Sequence, residues 1–374
     1  MTITEARKQF PHTWTDMIYM NHAAISPLSF RVREAAGKYL ERRSLSDIEC
    51  FPWAPKMAFE GKKLIAEQLG TTPDRIAYVM NTADGLNVLA SGLDWKQGDR
   101  VLLYRYEYPT NVYPFLIRKR DGVEVDLFDA PDHRITVDVI KEHLTPETKV
   151  LSLSMVQFST GYLANIEAIG KLCKERNIIF SLDAIQAFPH MHFDVEKWNV
   201  DFVSAGGHKW LMSPEGIGFI YVSKRAQELI SQSWMGSTSV KNPFDHFNFD
   251  IERIRDDASR YENGMMNYQG IAALKASLEL QQEYGFDEVH KHSLFLTSRF
   301  ADLFTSRGVK IVSPQGAGET SSIIAVEIDN AEEVLKKLAK KNIHAAVRRG
   351  FLRFSPYFYN TEEEVKKVIN TVFD

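Results

Sequence analysis

The chain has 374 residues, 44% of them hydrophobic, 11% aromatic and 25% charged, with a formal net charge of −4. That length accommodates a large core and two domains, and the acidic balance argues against a general nucleic-acid binder, which needs a basic face. With no apolar run near the roughly 20 residues that span a bilayer, no signal-peptide core in MTITEARKQFPHTWTDMIYM, and only Cys50 and Cys173 as thiols, a cytoplasmic protein without membrane partner, disulfide framework or metal cluster is expected.

The basic pairs Lys62-Lys63, Lys340-Lys341 and Arg348-Arg349 read as solvated helix faces or local contacts. From about Asp74 onward, apolar runs mark strands: RIAYVM (75–80), RVLLYR (100–105), VEVDLFD (123–129), KVLSLSMV (149–156), NIIFSLD (177–183), DFVSAG (201–206) and GIGFIYV (216–222). Several are almost continuously apolar, as strands covered on both faces are. Helical patterns such as GLNVLASGL (85–93) and EAIGKLCKERN (167–177) alternate with them. This rhythm predicts an α/β fold with a doubly wound, mostly parallel seven-stranded sheet and helices on both faces. GIGFIYV follows its predecessor too closely for a crossover and is the candidate antiparallel strand.

The segment 231–260 is polar and aromatic with weak periodicity, and is predicted to be a long loop or mobile segment. Beyond it the texture changes. Helical QGIAALKASLELQQEYG (269–285) and HKHSLFLTSRFADLFTSRG (290–308) precede strand-like SSIIAVEI (321–328) and helical NAEEVLKKLAKKN (330–342). Strand-like FLRFSP (351–356) and helical TEEEVKKVINTVF (361–373) follow, with Thr361 and Glu364 forming a capping box. The expected division is an N-terminal segment over 1–20, a large domain over 21–262 and a smaller α+β domain over 263–374.

Ligands of an open α/β sheet sit beyond the carboxyl ends of its strands, and three features fall there. Asn81-Thr82-Ala83-Asp84-Gly85 joins a strand to a helix, and offers free N–H groups and a hydroxyl to an anion. Asp183 ends IIFSLD, with Gln186 one helical turn on. Lys209 follows DFVSAGGH, where two adjacent glycines let the backbone close on something, a cofactor included. An amine nucleophile, an acid and a phosphate cradle fit pyridoxal phosphate: the amine forms a Schiff base with the aldehyde, and the acid keeps the pyridine nitrogen protonated.

These residues resemble the class V, fold-type I pyridoxal-phosphate enzymes, a family that includes aminotransferases, cysteine desulfurases, kynureninases and isopenicillin N epimerase. The likeness runs nearly end to end, through MNHAAISPLS (20–29), TADGLN (82–87), EYPTNVYPF (107–115), SLDAIQ (181–186), GGHKWLMSPEGIGFIYV (206–222), YENGMMN (261–267) and LRFSPYFYNTEEEV (352–365). It implies that Lys209 is the Schiff-base lysine and proton shuttle, that Asp183 pairs with the pyridine nitrogen, and that Gln186 donates to the ring phenolate. Tyr108 would stack on the ring where desulfurases carry histidine. Thr82, Ala83, Asp84 and His208 would serve the phosphate. Gly206 stands where relatives often have a phosphate-binding serine. Gly264 and Met265 would reach the phosphate of a neighbouring subunit in a homodimer with shared sites. Arg353 would clamp the substrate α-carboxylate, and His22 would line the substrate mouth.

The resemblance also separates the reactions. Desulfurases use a thiol on a loop before the carboxylate-binding arginine, and NIHAAVRRGFLRFSP (342–356) is short and without cysteine. Phe158 replaces a cofactor-contacting asparagine, with Gln157 as a substitute. An aminotransferase acting on an amino acid is therefore expected. Epimerase chemistry (with Tyr108, Tyr113 or His22 as second acid), desulfurase or β-lyase chemistry, and a non-catalytic cofactor-binding scaffold are the alternatives. A Rossmann dehydrogenase lacks its G-x-G-x-x-G turn.

Overall fold

The computed structural model describes residues 2–374. Seven strands form the large sheet: β1 (Ile76–Val79), β2 (Arg100–Tyr104), β3 (Glu124–Phe128), β4 (Thr148–Ser154), β5 (Ile179–Asp183), β6 (Phe202–Gly206) and β7 (Gly218–Val222). Their order is β1-β7-β6-β5-β4-β2-β3. Strands β2 to β6 run parallel, and β7 is antiparallel to both its neighbours, as its short connection requires.

Both faces of this sheet are buried. Leu102, Leu151, Phe180, Leu182, Val203 and Phe219 face one core, and the alternate residues Val101, Val150, Ile179, Phe202 and Ile220 face the other. Helices α1 (Phe30–Leu45), α2 (Ala54–Leu69), α3 (Thr82–Gly92), α4 (Ile166–Glu175) and α5 (Tyr268–Tyr284) flank it. Residues of α2, α4 and α5 fill the first core, and Val88 and Leu89 of α3 enter the second.

The smaller unit is a four-stranded antiparallel sheet of β8 (Lys310–Ile311), β9 (Ile324–Glu327), β10 (Ala346–Arg348) and β11 (Phe351–Phe354), in the order β10-β11-β9-β8. It packs on α6 (Phe286–Thr305), α7 (Ala331–Lys340) and α8 (Glu362–Phe373), whose Leu296, Phe300, Leu338, Val365 and Ile369 share its core with Leu352 and Phe354. The Thr361–Glu364 capping box is present at the start of α8.

Ile271, Leu274 and Leu278 of α5 bury themselves with the large sheet, and the same core takes in Val289, Ile323 and Tyr357 from beyond it. The N-terminal stretch belongs to both units. Phe10 packs in the large core, while Ile18–Tyr19 pairs in parallel with Ile343–His344. Within 231–260, regular structure is limited to short 3-10 turns at Ile251–Arg253 and Ala258–Tyr261. No helix among the described residues is long and apolar enough to cross a membrane.

Candidate active site

Register places the site. Ser154 of β4, Asp183 of β5 and Ser204 of β6 are successive partners at the carboxyl ends of three parallel strands. A cavity of about 270 Å³ opens above them, with Thr82, Ala83, Tyr108, Asp183, Gln186, His208, Lys209 and Arg353 in its wall. Residues from five separate stretches of sequence thus meet. A larger cavity, about 600 Å³, is lined by Met155, Tyr162, Trp198 and His290 among others, and shares no residue with this one.

Lys209 is 8% exposed, with its Nζ 5.3 Å from the centroid of the Tyr108 ring. Burial drives its amine down to about 8, against the pull of the Asp183 carboxylate; the nearby Arg353 and Arg348 charges push the same way as burial. Asp183 is 2% exposed, and burial raises its carboxyl to about 7. The Ile185 N–H, donating to Asp183 Oδ1 at 3.0 Å, opposes that rise, whereas the Glu107 carboxylate adds to it.

Each remaining group is held by a specific bond. Gln186 Nε2 donates to the Ala23 carbonyl at 3.0 Å, and its Oε1 accepts from Trp210 Nε1 at 2.8 Å. This fixes the amide orientation and leaves one N–H for the cavity. Thr82 and Ala83 open α3, so their N–H groups have no intrahelical partner. The Gly206 N–H donates to Thr82 Oγ1 at 2.9 Å, which frees the hydroxyl proton to face an anion. His208 is half-buried, and burial beside the Lys209 charge lowers its pKa, so the ring is neutral.

Arg353 is 1% exposed. Its Nη1 donates to the Phe158 carbonyl at 2.5 Å and its Nη2 to Asn21 Oδ1 at 3.3 Å, while Nε has no partner. No carboxylate lies within 4.0 Å of it among the described residues. Burial and the neighbouring Arg348 bring its pKa down to about 9, and it stays charged at neutral pH. A buried cation with an unused donor is an unfinished interaction, and an anionic group completes it.

Five expectations change here. Asp84 does not line the cavity: its Oδ2 accepts from the Met80 N–H and its own N–H goes to Asn81 Oδ1, so it is spent on capping α3. Gly206 does not line the cavity; its N–H is given to Thr82 Oγ1. The second glycine of the pair approaches protein, not ligand space, since a Cβ on Gly207 would lie 2.1 Å from Ser213 Oγ and 2.9 Å from the Ile217 carbonyl oxygen. Gln157 is occupied by Glu107, to which its Nε2 donates at 2.7 Å.

The fifth is His22, which lies behind the wall instead of at the mouth. It is fully buried, neutral because burial holds its pKa well down, and its Nδ1 is 2.9 Å from Tyr359 Oη. Its ring packs 4.8 Å from Trp210, the residue that orients Gln186. Gly264 and Met265, expected at the phosphate of a second copy, lie outside this cavity, and Met265 is 65% exposed on the surface.

Two contributors carried no signal that sequence reasoning used. Arg348 lines the cavity, although Arg348-Arg349 read as a solvated pair. Glu107 is a buried carboxylate whose charge acts on Asp183; it accepts from the Ser154 N–H at 2.8 Å and so ties the β4 end that pairs with Asp183.

The aminotransferase class-V family model matches residues 18–368. The chain belongs to that family. This class-V protein is 25% identical to a probable cysteine desulfurase of Pyrococcus abyssi, over 98% of this chain and 96% of the relative. It is also 25% identical to the uncharacterized aminotransferase YcbU of Bacillus subtilis, over 82% and 80%. Its fold superimposes on the apo cysteine desulfurase of Thermococcus onnurineus NA1 with a TM-score of 0.89, at 21% identity, covering 99% and 97%.

The cofactor of this enzyme family is pyridoxal phosphate, and the residues present fit it. A largely buried amine sits beside a buried acid, and a helix N-terminus with spare donors lines the same cavity as an unpaired guanidinium. When bound, the cofactor supplies an electron sink that weakens bonds to the substrate Cα. Lys209 would carry it and Asp183 would hold a proton on the pyridine nitrogen. Asp183→Asn is accordingly expected to retain cofactor, read from its visible absorption, while turnover falls at least about 100-fold. Near-normal turnover would count against the pairing.

Proposed function

We propose that the protein is an aminotransferase that acts on an amino acid, as a cytoplasmic homodimer with shared sites. The observation that carries the reaction type is the β10–β11 hairpin. Only Arg349 and Gly350 separate Arg348 from Phe351, and neither is a thiol. Cys50 and Cys173 are both buried away from the cavity, and burial pushes the Cys173 thiol far up, so it is un-ionised and inert. A sulfur-accepting nucleophile has no place to come from within the chain.

The residues that remain suit a proton transfer. Lys209, its pKa lowered by burial to about 8, would take the substrate Cα proton and hold it for return. Arg353 fixes the carboxylate so that the Cα–H bond faces that amine. Epimerisation needs a second acid on the opposite face. Of Tyr108, Tyr113 and His22, only Tyr108 lines the cavity, and it sits beside Lys209. The exposed Met265 and the half-exposed Gly264 support the dimer, since that segment is available to a second copy.

Mixing cofactor-loaded protein with single amino acids tests this reading. The expected result is conversion of the aldehyde cofactor to its amine form with one equivalent of 2-oxo acid, and no sulfide from cysteine. Sulfide release without oxo acid would replace the proposal with a lyase or desulfurase.

A further inference from the structure

Arg348 gives the cavity a second cation. In the β10–β11 pair Ala346 is opposite Arg353 and Arg348 opposite Phe351. Arg348 and Arg353 are therefore diagonal neighbours on one face of a two-stranded ribbon, with Cβ atoms roughly 7–8 Å apart or slightly less. Both line the cavity. Arg348 donates one Nη1 bond to the Val347 carbonyl at 2.8 Å, and neither guanidinium has a carboxylate partner among the described residues. Asp183 is the only carboxylate in the wall, against Lys209, Arg348 and Arg353.

Cofactor chemistry does not use up this positive charge. The α3 N-terminus, Thr82 and His208 would serve the phosphate, and Asp183 would pair with the ring nitrogen. A single α-carboxylate takes one guanidinium and leaves the other. A ribbon that presents two unpaired forks on one face matches a ligand with two acidic groups a few bonds apart.

We propose that the substrate is a dicarboxylic amino acid of the aspartate–glutamate class, its α-carboxylate on Arg353 and its distal carboxylate on Arg348. This rests on the amino-acid reading above and narrows it. The alternative arrangement, both arginines on one carboxylate, gives no preference for a second acid.

Titrating the cofactor-loaded protein with glutamate against glutamine, and aspartate against asparagine, reads the preference from the shift of the visible band. The acids are expected to half-saturate at about tenfold lower concentration than their amides, and R348M to bring that ratio to about one. Equal half-saturation, or a preference that survives in R348M, overturns the assignment.

A second readout is independent of any reaction with the cofactor: glutarate is expected to raise the thermal midpoint more than butyrate, and R348M to remove the difference. Equal effects of the two also overturn it. If no amino acid shifts the band while glutarate still stabilises more than butyrate, the two-arginine site stands and the amino-acid function falls.

Discussion

Lys209→Ala is expected to lower turnover at least about 1000-fold, and borohydride treatment of the loaded variant to leave no cofactor attached to the polypeptide. Positioned proton transfer alone contributes roughly 10²–10⁴, and Lys209 is the only amine in the cavity wall. The wild-type amine is prepared for attack by its surroundings. A lysine at the ordinary value near 10.4 is neutral in only about one molecule in 2500 at pH 7. Burial brings Lys209 to about 8, which makes roughly one molecule in ten neutral at the same pH.

The neutral amine is the nucleophile, so capture of cofactor by cofactor-free protein should accelerate as pH rises through about 8 and then level off. Stopped-flow absorbance follows it directly. A capture rate still climbing tenfold per pH unit beyond pH 9 would mean that the lysine is not held down, and residual covalent cofactor in the alanine variant would assign the attachment elsewhere.

What the sequence made legible follows from how locally each feature is determined. Most of the seven strands are readable because both faces of the sheet are covered, so GFIYV (218–222) carries apolar residues after its glycine, whereas the edge strand EVDLF (124–128) is half-exposed and charged. Helix α1 gave no such stripe, since Val32 and Tyr39 are its only buried residues. In α2 the buried face includes Lys62, whose Nζ lies 2.8 Å from Glu262 Oε1; the charge that disguised the stripe is neutralised two hundred residues away.

The site divides on the same line. Lys209, Asp183 and Thr82 stand at strand ends, where topology alone sends them to the ligand. Arg348 escapes because its direction depends on β10, a three-residue strand whose register with β11 no local pattern announces. Asp84 and His22 were placed too close to the ligand for the opposite reason. Their positions are right along the chain, but the Met80 N–H engages Asp84 Oδ2 and Tyr359 Oη engages His22 Nδ1 inside the fold.

Arg353 separates binding from stability, and Arg353→Met should display the separation. Removing the guanidinium is expected to weaken amino-acid binding by roughly 2–5 kcal/mol, about 30- to 4000-fold in Kd, because the clamped carboxylate would be left poorly paired. The ligand-free variant should nevertheless melt at the same temperature as the parent or higher. In the native chain this cation is 1% exposed, has no acid partner and leaves Nε unbonded, and replacing an uncompensated buried charge by an apolar chain of similar length relieves a desolvation penalty. The bonds to the Phe158 carbonyl and Asn21 offset part of that relief.

A purely structural arginine would give the reverse pattern, a large fall in melting temperature with unchanged ligand affinity. Equilibrium titration and calorimetry on the same preparation therefore distinguish a residue kept for its ligand from one kept for the fold. The physical ground for expecting the first is that the folded chain alone leaves this charge without a partner.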